Sequence, residues 1–134
     1  MTKLHELGVA EAAEAIRLGD IKAEALAEAL LARAAAHKSL NAFIALEPDK
    51  VRAAARQADQ QRASGAPLGP LHGVPLALKD NLDTVEYPTT GGTPGLAGNR
   101  PKSNAVIVQA LFDAGAIALG KCNLHELAYG HHQQ

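Results

Sequence analysis

The chain has 134 residues, a formal net charge of −1, 47% hydrophobic residues and 3% aromatic ones. This length suits one small domain, the composition excludes a disordered chain, and the lack of a basic excess argues against direct nucleic-acid binding. Cys122 is the single cysteine, so no intrachain disulfide can form. No apolar run approaches the roughly 18–20 residues that span a bilayer, and residues 1–6 lack an apolar signal core. A soluble cytoplasmic protein with no membrane partner is therefore expected.

The first predicted helix runs from Leu7 to Leu18 and ends at Gly19. Asp20 is placed to cap a second helix, Ile21 to His37, with Leu26, Leu30 and Leu31 on one face. Such Ala-rich helices form readily but need a partner surface. A short strand is expected over Asn41 to Leu46. Glu47-Pro48 opens a third helix, Asp49 to Ala63, with proline near its start. Ser64 to Pro70 is a Gly/Pro-rich connection, read as a surface loop within one domain. The aromatic set is Phe43, Tyr87, Phe112 and Tyr129, so core packing must rest on Ala, Leu, Val and Ile. Small side chains bury little apolar area each, which fits a piece of a larger domain.

Val74 to Leu78 has the length and character of a buried strand, and it feeds directly into Lys79-Asp80. A lysine at the inner end of such a strand cannot easily reach water. Burial disfavours the ammonium and favours the neutral amine that a base needs. Lys79 is therefore the candidate catalytic residue, weighed against a solvated Lys-Asp pair at a strand end. Asp83 to Pro101 reads as a long irregular segment, a type that is often functional. A helix from Ser103, its N-cap, to Ala114 follows, then a strand Ala116 to Leu119 and a helix beginning over Leu124 to Tyr129. Strands alternating with helices argue for an α/β layered sheet.

Other constellations are weaker. Gly115 to Lys121 matches half of a phosphate-binding loop, but Cys122 stands where Ser or Thr should bind magnesium, and the apolar interior reads as a buried strand. His125-Glu126 begins a zinc pattern, but Tyr129 occupies the second ligand position. Glu126 reads better as part of a structural hydrogen-bond network. Cys122 has no histidine partner placed by the local sequence and reads as a small hydrophobe. Ser64 and Ser103 lie in a loop and at a helix cap. Thr89-Thr90-Gly91-Gly92-Thr93 has two balanced readings: backbone N–H groups offered to a substrate, or a tight loop supporting the strand that carries Lys79.

The run Leu71-His72-Gly73-Val74-Pro75-Leu76-Ala77-Leu78-Lys79-Asp80-Asn81 precedes Pro88-Thr89-Thr90-Gly91-Gly92-Thr93-Pro94, an apolar helix, and Gly120-Lys121-Cys122-Asn123-Leu124-His125-Glu126-Leu127-Ala128-Tyr129-Gly130. This order resembles the N-terminal part of the amidase signature family, closest in look to indoleacetamide hydrolases and mandelamide-type amidases. The resemblance extends from about residue 4 to Gly130, and the block from Leu71 onward is the specific part. It implies an α/β fold with a mixed sheet flanked by helices, incomplete in this chain. It implies hydrolysis of small carboxylic amides to acid and ammonia by a Ser–Ser–Lys triad, in which Lys79 matches the lysine. It implies no metal or organic cofactor, and a small amide substrate as a partner of the complete protein.

Both family serines and most oxyanion donors lie in a serine-rich segment downstream of the part matching Gly130. These 134 residues are thus expected to be a truncated N-terminal portion that lacks the catalytic serines, with residues 131–134 a non-matching tail. Exposed strand edges would promote self-association. Two alternatives stay open: the amidase (A) subunit of a tRNA-dependent amidotransferase, or a non-catalytic fragment.

Overall fold

The structure, a computed structural model, describes residues 3–130. The expected tail at 131–134 lies outside them. A single 3₁₀ turn, Leu4–Glu6, leads into α1 (Val9–Leu18) and α2 (Ala23–Ala36). Next come β1 (Phe43–Ala45), α3 (Pro48–Ala63), β2 (Pro75–Lys79), α4 (Val106–Asp113) and β3 (Ile117–Cys122). The chain is thus a mixed α/β unit whose helices flank one sheet. No helix among the described residues is long and apolar enough to cross a membrane.

Gly19 closes α1 in the left-handed conformation at φ 80°, where glycine carries no steric penalty. Asp20 does not cap α2. That helix starts at Ala23, and its first free N–H groups are taken by Asp59 of α3, with Ala23 N at 2.7 Å and Glu24 N at 3.0 Å from its carboxylate oxygens. Arg62, one turn further along α3, donates to the carbonyl of Arg17 at 3.1 Å. One helix thus satisfies backbone groups at both sides of the α1–α2 corner, with charges that match the helix dipoles. Asp59→Ala should therefore cost about 1–2 kcal/mol, read as a lowered urea midpoint by circular dichroism.

Arg52 and Arg56 of α3 pair with Glu28 and Glu24 of α2. The Arg52 hydrogen bond holds the Glu28 carboxyl below its usual range. The sign follows: this pair supports the fold at neutral pH and is lost as pH falls through the carboxylate range. Beneath these pairs Ile16, Leu26, Leu31, Val51, Ala55 and Ala58 pack with Val74 and Leu119. The alanines let α2 and α3 approach closely.

The sheet has the order β1-β3-β2, with β1 antiparallel and β2 parallel to the central β3. Both faces of β3 are covered, which explains its unbroken apolar start. Ile117 and Leu119 join the helix-side core, while Ala118 packs with Leu78, Tyr87 and Val108. Leu76 pairs with Ala118 but Ala77 with Gly120, so β3 carries a bulge at Leu119. A Cβ at Gly120 would lie 2.7 Å from the Ala45 carbonyl oxygen, so only glycine fits there. Such a bulge re-aims the residues that follow, here Gly120 and Lys121.

Two expected helices are shorter than read. Ser103 is exposed and does not cap α4, which starts three residues later behind Ala105. Asn104, beside it, instead accepts from Val85 N at 2.9 Å. The stretch Leu124 to Tyr129 yields only a 3₁₀ turn, Glu126–Ala128. Leu127 and Ala128 there take positive φ values of 53° and 59°, which stop a helix from propagating.

Candidate active site

β2 and β3 end side by side, each in a lysine-bearing segment. The register sets Leu78 opposite Lys121 and Lys79 opposite Cys122. Successive side chains on a strand point to opposite faces. Leu78 is buried, so Lys79 turns the other way, and in this chain it is exposed. The expectation of a buried Lys79 is thus not met within these residues, because alternation gives the inward direction to its neighbours. Lys79 keeps its place at the strand end, with its carbonyl accepting from Leu82 N at 3.0 Å.

The buried lysine is Lys121, which sequence reasoning passed over. Its side chain and that of Asp80 are both 0% exposed, and Nζ lies 3.1 Å from Asp80 Oδ1. Nζ also donates to Thr89 Oγ1 at 3.0 Å and to the Pro88 carbonyl at 3.1 Å, with Thr84 Oγ1 at 3.4 Å. An ammonium has three protons, and Thr89, Pro88 and Thr84 take them, while Asp80 Oδ1 faces the charge as its counter-ion. The hydroxyls pass the polarity on: Thr89 donates to Leu82 O and Thr84 to Tyr87 O. The other Asp80 oxygen accepts from the Thr90 hydroxyl and from Thr90 N. A buried charge pair survives only when its remaining hydrogen-bonding capacity is used; here the ammonium and Asp80 Oδ2 are satisfied, and Oδ1 meets only the Lys121 charge.

The Thr89–Thr93 loop is consumed by this arrangement. Thr89 N donates to Asn99 O, Thr90 N to Asp80 Oδ2, Gly91 N to Asp80 O, Gly92 N to Thr90 Oγ1 and Thr93 N to Thr90 O. None of these five donors is offered outward, so the loop supports the strand end and is no anion cradle. Ile44, Ala45, Asp80, Pro88, Thr90 and Thr93 are among the residues lining a cavity of about 320 Å³ beside it.

The remaining candidates fall into structural roles. Gly115 to Lys121 forms a turn and a buried strand, so a phosphate loop is excluded by its own burial. Burial raises the pKa of the half-buried Cys122 thiol, the wrong direction for a nucleophile. The Ser64 hydroxyl donates to Gln61 O at 2.7 Å at the end of α3, and Ser39 is exposed in a 3₁₀ turn. Glu126 is exposed, so it anchors no buried network. Among the described residues no three His, Cys, Asp or Glu side chains gather as metal ligands.

Comparison with known proteins decides the family. The family model described as Amidase matches residues 25–134. The chain belongs to the amidase family. It is 48% identical over 131 residues to the A subunit of glutamyl-tRNA(Gln) amidotransferase from Chloroflexus aurantiacus, covering 97% of this chain and 27% of that protein. It is 44% identical over 131 residues to mandelamide hydrolase of Pseudomonas putida, covering 95% of this chain and 25% of that one. The native peptide amidase of Stenotrophomonas maltophilia superposes with a TM-score of 0.83 at 40% identity, over 90% of this chain and 25% of that structure. This amidase-family chain therefore spans about a quarter of the length of these relatives. The mixed sheet with flanking helices is shared with the peptide amidase structure.

Proposed function

We propose that this chain supplies the relay base of an amide hydrolase, and that Lys79 is that base. In this reading a serine elsewhere in the whole protein attacks the amide carbonyl to form an acyl-enzyme and release ammonia. A second serine passes the proton of the first to the neutral Lys79 amine, and water then frees the acid. The observation that carries the reading is the end of β2. Asp80 is locked on the buried side, and its neighbour Lys79 is presented on the open side, where the rest of a whole protein can cover it. Covering would favour the neutral amine. No metal or organic cofactor enters this chemistry, and a cytoplasmic location fits the lone Cys122.

None of Ser39, Ser64 and Ser103 matches the family's nucleophile, so the purified chain should release no ammonia from small aryl or alkyl amides. Steady turnover by the chain would mean that another residue here attacks the carbonyl. The positive test is a chimera in which this chain replaces the matching 131 residues of the Pseudomonas putida mandelamide hydrolase. The chimera should release ammonia from mandelamide; a folded chimera without turnover would contradict the proposal.

A second reading, the amidase component of a multi-subunit amidotransferase, is favoured by the 48% match. Co-purification of the whole protein with companion chains would support it over a free-standing amidase.

We also propose that the chain alone self-associates. Val106 and Ile107 on α4 are 89% and 58% exposed, and β1 and β2 are both sheet edges. Open edges and apolar faces recruit further chains. Sedimentation should reveal oligomers; a clean monomer with a sharp thermal transition would refute this.

A further inference from the structure

We infer that Lys121 is a positioning residue for Lys79, acting through Asp80. The inference rests on the reading of Lys79 as the relay base. Asp80 is held at four points: N–H to Cys122 O at 3.0 Å, carbonyl from Gly91 N at 2.9 Å, one carboxylate oxygen to Lys121 and the other to Thr90. A residue so fixed also fixes the backbone direction of its neighbour, and hence the side on which Lys79 leaves the strand. Of these four restraints, only the Lys121 contact is an ion pair. Lys121 also gathers Thr84, Pro88 and Thr89, so the loop that buries Asp80 hangs on the same ammonium. The bulge at Leu119 that turns Lys121 to this side is thereby part of the site.

Removing Lys121 alone would strand the Asp80 carboxylate, so the deciding variant is the double change Asp80→Asn with Lys121→Met, which removes both charges. Thr89→Val, which removes one ligand of the ammonium at nearly constant volume, is the milder companion. Both are made in the mandelamide hydrolase chimera and followed by mandelamide turnover and by hydrogen exchange of α1 to α3. With those helices as protected as in the parent chimera, kcat should fall about 10–100-fold in the double variant, as expected for a misplaced catalytic group. Thr89→Val should show a smaller fall, with KM moving less than about twofold in either variant. A merely structural lysine would lower helix protection and the active fraction without this split. Unchanged kcat in a folded double variant overturns the assignment, and so does failure of both variants to fold. If Lys79→Ala keeps its turnover, the reading of Lys79 fails instead. A double variant with normal kcat beside a dead Lys79→Ala defeats only the positioning role.

Discussion

Lys121→Ala should lower the stability of this chain by about 3–5 kcal/mol, because removing one partner of a buried pair leaves the other charge uncompensated. The affected groups are specific. Asp80 would keep its Thr90 contacts and lose its counter-ion, and Thr89, Pro88 and Thr84 would face a hole. Against a typical domain stability of about 5–15 kcal/mol, that loss takes the chain to the edge of unfolding. The chain has no tryptophan, so the check is a urea titration followed by circular dichroism. The double change Asp80→Asn with Lys121→Met should recover much of the loss, since neutralising both members removes the stranded charge. A shift below about 0.5 kcal/mol for Lys121→Ala, the range of ordinary surface changes, would mean that the pair is not closed in solution.

The two lysines also show how far the sequence could be read. The order of helices and strands was legible, because Ala-rich amphipathic segments and short apolar runs declare themselves by period and length. The specific block from Leu71 to Gly130 carried the family. Burial at the strand ends was harder. The same argument, a lysine closing an apolar strand, applies to Lys79 and to Lys121, and only the pairing register decides between them. That register depends on a bulge at Leu119, which local sequence marks only by Gly120. A cue for Lys121 did exist: Asp80 after one buried strand and a lysine after the next are natural partners if the strands run parallel. The cap of α2 was missed for a related reason. Asp20 is nearer in sequence, but Asp59 is nearer in space, and only packing of α3 on α2 reveals it. The short turn at Glu126–Ala128 escaped because tertiary docking set it: Leu127 N donates to Gly91 O at 2.6 Å, overriding a helical propensity.

Lys79 should behave as the opposite of Lys121. Its side chain is exposed in this chain, so Lys79→Ala should change stability by less than about 0.5 kcal/mol. In the mandelamide hydrolase chimera the same change should cost about 10²–10⁴-fold in kcat, the contribution of a positioned proton-transfer group. No neighbouring side chain can substitute, since Lys121 is paired with Asp80 and hydrogen-bonded to Thr84, Pro88 and Thr89 on the other face of the sheet. The most direct measurement is ammonia release from mandelamide by the chimera with and without Lys79→Ala, at matched folded concentration. The account predicts a drop of at least about a hundredfold with an unshifted thermal midpoint. Turnover within about threefold of the parent chimera, against the loss expected of a relay base, would contradict it.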